Sequence, residues 1–540
     1  MVNKLKFLND DLINKITPLL LTSICRNPNS KFFGSCDRNW WHYKIRDFPS
    51  LILQQAGYSL FLIDEEDLLR SGISSQERNS IVDGVVNFWL NRTQLKGYAE
   101  EYYPYEDGYP PLAFGTLAMA KIVLKRKSNF NQQKLELAFS TSAKKLMNRF
   151  ESKAGNQQVA GLAALFYIRS LFPNLISADK LNNLLERTLN LQHEEGWFYE
   201  YDGADLGYLS VSLDCLYDIY DCTKNVLVLN SIKNCIKFCA TLLTDKNVCL
   251  SSLNSRNTDY LVPFGFVRGM MENSPSINKY SAYVLDVISS KHILRSVDER
   301  YWCHYIGHSV IRAFNLIKNN SFKTIKNFSK FRNPSSFPGA GIYKLQLKDK
   351  SKVVISSFKG GVINIVKDTG ETVIDFGWTI EINNKKYTSY WFSREFEVFK
   401  SKNSINIKGY MYPVVEFEST PFKHFILRFL SFFFGRSIIS HMKNKMIYRK
   451  KSRLVTFNRI ISKKNNGLEI SDYIKLNDKM KIFSSEPKRE KQFSYRHVAS
   501  AGGFVPVTYL HDSKLKLDIS TRNLRNSYEI VSQVDMGENF

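Results

Sequence analysis

The apolar residues of this chain change their spacing once, and that change limits the fold more than any other feature. From about residue 50 to 318 they recur at helical intervals, in segments of roughly 12–20 residues separated by Gly, Pro or Asn. Segments 112–124, 134–150, 159–171, 178–191, 206–219, 226–243, 298–317 and a shorter one at 280–288 carry the pattern. Eight or more successive helices without an intervening strand predict paired helices in a bundle, solenoid or closed toroid. The segments share no common period, so a strict repeat protein is not expected. Beyond a polar stretch at 318–341 the runs become short and alternating (IYKLQLKD, SKVVISSF, GVINIVKD, TVIDFGWTIEI, KKYTSYWF, SINIKGYMY, LEISDYIKL, LKLDIS). They are rich in Val, Ile, Tyr and Phe and broken by turn residues, the pattern of an antiparallel sandwich or barrel. The expected division is an N-terminal arm over 1–50, a helical domain over 51–325 and a β domain over 335–540. A basic helical insertion interrupts the β domain at about 422–453.

With 540 residues the chain is too long for one core. Its net charge of +24 is uneven. Residues 1–330 hold 39 basic and 32 acidic side chains, and residues 331–540 hold 36 and 19. Such an excess predicts an anionic partner: a nucleic acid, a membrane surface or an acidic glycan. No zinc-finger spacing, RNP-type motif or P-loop supports the nucleic acid. The eight cysteines all precede residue 304, form no CxxC pair and read as buried thiols of a reducing compartment. Asp10 and Asp11 stand where a signal peptide needs apolar residues, so a cytoplasmic location is expected. Residues 421–453 hold no Asp or Glu, and phenylalanines crowd beside their Lys and Arg. This composition suits a helix lying in an anionic membrane interface as well as one packed on the β domain with a solvated basic face.

Four polar, aromatic clusters between the helices are candidate sites. GSCDRNWWHYKIRDF (34–48) reads either as a sugar-stacking wall or as packing for the arm. In YAEEYYPYEDGYPPLAF (98–114), Glu106 lies near a helix start, as a cap or as a site wall. EEGWFYEYDGADLGYLSVSLD (194–214) concentrates Trp197, Glu200, Tyr201, Asp205 and Tyr208 in a loop whose Gly196, Gly203 and Gly207 permit tight turns. In SLNSRNTDYLVPFGF (252–266), Arg256 can clamp a carboxylate or phosphate, with Asn257 beside it. His304 and His308, four apart, lack the glutamate of a metalloprotease pair, and no metal or cofactor is expected. His308 is also counted among the binding candidates.

Together, FGSCDRNWWHYK, YYPYEDGYPPLAF, GNQQVAGLAAL, EEGWFYEYDGADLGYLS, SRNTDYLVPFG and DERYWCHY resemble the helical domain of the heparinase II/III-like family of bacterial polysaccharide proteins. PGAGIYKLQL and SSFKGGVINI resemble the start of that family's β domain. The resemblance implies an incomplete (α/α) toroid followed by an antiparallel β-sandwich. It also implies a carbohydrate-active protein working on an anionic polysaccharide or lipid-linked glycan precursor. The implied activity is β-elimination at a uronate, or hydrolysis by two carboxylates such as Glu106 with Glu200 or Asp205. For elimination, Asn156 and Arg256 would neutralise the substrate carboxylate and Tyr201 or Tyr208 would move the protons. The family's lyases bring a histidine on the β domain, and this chain has Phe358-Lys359-Gly360-Gly361 there. A non-catalytic glycan-binding or scaffold protein is the other expectation.

Overall fold

A computed structural model of the chain describes residues 8, 10–63, 71–96, 99–243, 248, 250–291, 299–320, 336–347, 351–366, 372–382, 385–414, 418–435, 437–438, 441–442, 451, 455–464, 467–476, 517–524 and 527–535. The helices used below are α1 (Asp10–Ser23), α2 (Gln55–Leu62), α3 (Ser75–Lys96), α4 (Tyr109–Arg126), α5 (Gln132–Met147) and α6 (Gly155–Leu171). Then follow α7 (Ala178–Leu189), α8 (Leu206–Thr223), α9 (Val226–Leu242), α10 (Phe264–Gly269), α11 (Pro275–Lys291), α12 (Gly307–Asn319) and α13 (Pro421–Phe434).

Their packing describes a ring. Helix α2 packs on α4, α4 on α6, α6 on α8, α8 on α10, α10 on α12, and α12 returns to α2. Helices α3, α5, α7, α9 and α11 pack around the outside of this inner set. The inner helices explain the closure: α4 and α6 are rich in Ala, Gly and Leu, and α4, α6 and α8 are buried along most of their length. A helix apolar all round needs neighbours on every side. Contact between α12 and α2 brings the last inner helix back to the first. The segment expected to be an arm is also part of the helical body, since α1 buries Ile13, Ile16 and Leu20 in its core.

The axis of the ring holds charge. Lys121 of α4 donates to Asp218 of α8 at 2.5 Å, and Arg312 of α12 donates to the same carboxylate at 2.7 Å. Burial pushes the Asp218 carboxyl up, but Arg312 and Lys121 outweigh it and hold it below the usual range. These groups lie twelve residues into α4 and α8, about 18 Å from the helices' N-terminal ends at 1.5 Å per residue.

The strands form three antiparallel sheets. The first runs β1 (Ser336–Phe337), β2 (Ile342–Gln346), β3 (Lys352–Ser356), β4 (Val362–Val366), β5 (Thr372–Asp375) in that order. A three-stranded sheet joins β6 (Thr379–Ile382), β7 (Lys385–Thr388) and β10 (Tyr412–Pro413). The six-stranded sheet contains β8 (Glu397–Lys400), β9 (Ser404–Tyr410), β11 (Val455–Lys464), β12 (Gly467–Leu476), β13 (Leu517–Leu524) and β14 (Ser527–Asp535). Side chains in β3 and β4 alternate between two cores. Val354 and Val366 join the helical core, while Val353, Ile355, Ile363 and Ile365 meet Ile405, Ile407, Phe457, Ile461 and Ile470 of the six-stranded sheet. The first sheet is thus the middle of three layers, which explains its uninterrupted apolar sequence.

Between the first and the six-stranded sheets, Arg459 is fully buried and donates to Asp472 at 2.6 and 2.8 Å and to the Gly361 carbonyl at 3.0 Å. Trp378 Nε1 donates to the same carboxylate at 2.7 Å.

Of the helical insertion expected over 422–453, α13 ends at Phe434, where Gly435 (φ 44°) caps it, and residues 437–438 and 441–442 are helical again. Most of 436–450 lies outside the described residues, as do His497 and His511.

Candidate active site

Three loops meet where the inner helices begin. The stretch before α8 lies against the stretch before α6: Gly155 N–H donates to Tyr199 O at 2.8 Å and Tyr201 N–H to Lys153 O at 2.6 Å. The loop after α9 closes the third side. There, Ser255 donates its N–H to Ala204 O at 2.9 Å and its hydroxyl to Glu200 O at 2.8 Å. The turn at 200–203 is left-handed at Tyr201 (φ 47°) and Asp202 (φ 70°), and of the three glycines that the sequence suggested Gly196 has a positive φ (105°) while Gly203 and Gly207 do not. Non-glycine residues carry this conformation at a cost. Gly203 is needed for space instead, since a Cβ there would lie 2.6 Å from Ser255 Cβ. Gly207 lies inside α8 and packs against Thr258.

Asp205 organises the floor. It is the N-cap of α8, accepting the Tyr208 N–H at 3.2 Å, and it accepts the Arg256 N–H at 3.0 Å and the Thr258 hydroxyl. Both oxygens are committed, so Asp205 is a structural carboxylate rather than the free catalytic group expected.

Glu200 is different. It is 3% exposed and accepts the Asn156 backbone N–H in the first turn of α6. Burial, then the nearby Asp205 charge, holds its carboxyl well above the usual range, against a smaller opposing pull from Arg256. Asn156 itself is buried, and its side-chain Oδ1 has no hydrogen-bond partner among the described residues. A buried polar atom without a partner costs about 1–3 kcal/mol, so a site that retains one is fit to give it to a ligand.

The half-buried Tyr201 has the Arg256 guanidinium 4.9 Å from its ring centre. Burial and Glu200 push the Tyr201 phenol up, while Arg256 and a hydrogen bond with Gln157 pull it down. Tyr208 stands in a different setting. Burial, Tyr260, Tyr301, Glu200 and Asp205 all push it well above the usual value.

From Tyr208 a row of rings runs along the ring's mouth. Tyr260 lies 6.5 Å away, Tyr301 a further 5.7 Å and Tyr305 a further 4.9 Å. Arg300 ends the row, donating to the Tyr305 hydroxyl at 3.3 Å with its guanidinium 5.7 Å from the Tyr102 ring. The sequence reading missed this row. Its one signal was DERYWCHY, whose tyrosines stand four apart on one helical face.

Lys359, also missed, comes from the turn between β3 and β4. Its Nζ reaches the helical domain, donating to Ser251 O at 2.6 Å and Asn257 Oδ1 at 2.5 Å. That contact holds Asn257 in its left-handed conformation (φ 58°) beside Arg256. It occupies the place where the reading sought a histidine.

Three expected site residues stand elsewhere. Glu106 is buried and accepts the backbone N–H groups of Glu101 (3.1 Å), Tyr102 (2.8 Å) and Tyr103, while Gly108 is the N-cap of α4. Glu106 therefore shapes the loop that presents Tyr102, and neither caps a helix nor pairs with Glu200. Trp197 is fully buried, stacked on His193 at 4.4 Å with its Nε1 donating to Glu195 at 2.9 Å. Glu195 in turn accepts Gly339 and Ala340 N–H at 2.8 and 3.0 Å, so Trp197 packs the junction with the first sheet rather than a sugar. His308 lies by the axial charges, its imidazole driven down to about 3 by burial, Lys121 and Arg312. His304 donates its Nδ1–H to Leu53 O at 2.8 Å, and burial lowers its imidazole to about 4. In the first cluster, Trp40 packs on Phe32 and Phe88 while Trp41 donates to Ser23 O.

Among the described residues no group of His, Cys, Asp and Glu could hold a metal ion.

No protein-family model matches the chain, and no curated protein matches it in sequence. Among solved structures it is similar to the Streptomyces coelicolor A3 chondroitin AC lyase in complex with chondroitin sulphate, at 8% identity and a TM-score of 0.47, over 88% of this chain and 67% of that one. It is also similar to a mutant of the heparan sulfate lyase HepC from Pedobacter heparinus, at 9% identity and a TM-score of 0.35, over 97% of this chain and 81% of that one. Likeness at this level carries no chemistry from one protein to the other.

Proposed function

We propose that this chain is a carbohydrate-active protein that cleaves an anionic, uronate-containing polysaccharide, or a lipid-linked precursor of one, by β-elimination. The observation that carries the reading is Glu200: a buried carboxyl biased towards its protonated form, beside a buried Asn156 oxygen that has no partner. A protonated carboxyl donates a hydrogen bond to a substrate carboxylate, and that bond strengthens as charge moves onto the carboxylate in the transition state. Helices α6 and α8 both begin at this point, and their N-terminal dipoles favour an anion. The basic excess of the chain favours the same class of substrate.

The proton transfers are assigned by what faces each phenol. Arg256, beside Tyr201, opposes the burial that holds its phenol above the usual value, and Tyr201 is assigned the removal of the proton α to the carboxylate. The electron pair of that C–H bond forms the new C=C bond, and the C–O bond to the leaving sugar breaks. Tyr208, faced by carboxylates and other phenols, keeps its proton until the leaving oxygen takes it. The tyrosine row from Tyr260 to Tyr305 offers ring faces and hydroxyls for neighbouring sugars.

The test is incubation with a panel of uronate-rich polymers while following absorbance of the unsaturated product. Wild type should show turnover, and Tyr208→Phe and Glu200→Gln should lose about 100-fold or more without any fall in melting temperature. New reducing ends without unsaturation would replace the reading by hydrolysis. Absence of turnover with retained glycan binding would favour a non-catalytic glycan-binding or scaffold protein. The commitment of Asp205 to three donors speaks against a two-carboxylate hydrolase, whose second carboxylate must reach water or sugar.

A further inference from the structure

Helix α13 is turned inside out for a surface helix. At 100° per residue, Phe422, Phe425, Ile426, Phe429, Phe432 and Phe433 fall in one apolar stripe about 120° wide. Each of the six is between 40% and 69% exposed. On the other side Leu427 and Leu430 are half-buried and Ser431 is buried against the protein, while the terminal Phe434 is exposed. A helix that packed its apolar stripe on a core would show the reverse order. Contiguous apolar patches of this kind mark docking surfaces.

The helix exists without its partner. Thr420 caps it by accepting the Lys423 N–H at 3.3 Å, Pro421 starts it, and Gly435 ends it. It is fixed to the mouth of the ring by an ion pair between Arg428 and Asp47 and by Phe432 against Tyr105, 5.4 Å between ring centres.

Charge selects the occupant. Between 421 and 453 the sequence has nine Lys and Arg and no Asp or Glu. A partner for this stretch must be apolar and anionic together. No helix among the described residues is long and apolar enough to cross a membrane, and α13 at about 21 Å is too short to do so. A 14-residue helix with a phenylalanine stripe and a basic continuation meets the requirements for lying in the plane of a lipid interface. We infer that α13 docks this protein on an anionic lipid membrane, with its phenylalanine stripe in the acyl–headgroup boundary.

This inference goes beyond the proposed activity and needs neither sugar nor turnover for its test. Full-length protein is floated with vesicles of phosphatidylcholine alone and of phosphatidylcholine with phosphatidylglycerol, at near-physiological salt. Wild type should float with the anionic vesicles and weakly or not at all with the neutral ones. Phe425→Ser combined with Phe429→Ser and Phe433→Ser, which keeps every charge, should weaken the binding by about tenfold or more. Circular dichroism and the melting temperature of the variant should match wild type, because these side chains touch water rather than a core. Equal flotation of wild type and variant would overturn the inference, as would equal binding to both vesicle types. A wild-type dimer in light scattering that the variant converts to monomer, with no vesicle binding by either, would overturn it in favour of a second copy on this face.

Discussion

Glu200 sets two effects against each other. Its folded-state carboxyl is held above the ordinary 4.5, so the native state binds a proton that the unfolded state releases. Its burial therefore costs no stability at pH below 4.5 and costs progressively more as pH rises through the folded value. Glu200→Gln should melt with wild type at about pH 4 and above it near pH 7, while losing activity. Differential scanning calorimetry across that range checks the sign, and a wild type more stable than the variant at neutral pH would refute it. Asp205 behaves differently, as a cap with three donors. Asp205→Ala should cost about 2–4 kcal/mol, measured by denaturant unfolding. The sequence made both residues visible because a loop dense in Tyr, Trp and carboxylate is seldom mere connection. It did not separate their roles, since the donors that occupy Asp205 come from residues 256 and 258, some fifty positions on. Trp197 was misread for the same reason. Gly339, Ala340 and Arg394, which close the junction over it, lie far along the chain.

The elements were more legible than the site. The period of α4 to α9 appears in the sequence because each helix buries a continuous face, and β3 and β4 appear as unbroken apolar runs because both their faces are covered. Helix α3 escaped notice, its polar residues scattered round it. The direction in which α13 points its phenylalanines could not be read at all, because composition is blind to which side is covered. Closure of the ring depends on the axial charges. Asp218→Asn leaves Lys121 and Arg312 facing no anion at 2.5 and 2.7 Å, and should destabilise the helical domain by about 3–5 kcal/mol. Because its folded value is depressed, the stability Asp218 supplies is present above 3.8 and lost as pH falls through the folded value. Wild type and variant should thus converge in strong acid, as monitored by far-ultraviolet circular dichroism.

For the whole molecule, the telling contact is Lys359, which carries a cation from the β domain into a site made by helices. Lys359→Met keeps much of the side-chain volume but frees Asn257 and leaves the Ser251 carbonyl without that donor. It should lower kcat/KM by about 10–100-fold with a stability loss of about 1–3 kcal/mol. Activity of the isolated helical domain equal to that of the full chain would contradict this dependence. Arg394 strengthens the same seam by donating to Asp202 O at 2.5 Å and Gly339 O at 2.9 Å.

The salt-bridged axis has a consequence for traffic. With Lys121, Asp218 and Arg312 filling its centre, the ring of helices is a cup and not a pipe. On the proposed function, a long polymer is not threaded through it but draped across the rim, entering and departing on one side. Cuts should therefore fall at internal linkages as readily as near ends, and a size profile of early products would display the broad spread that such draping produces.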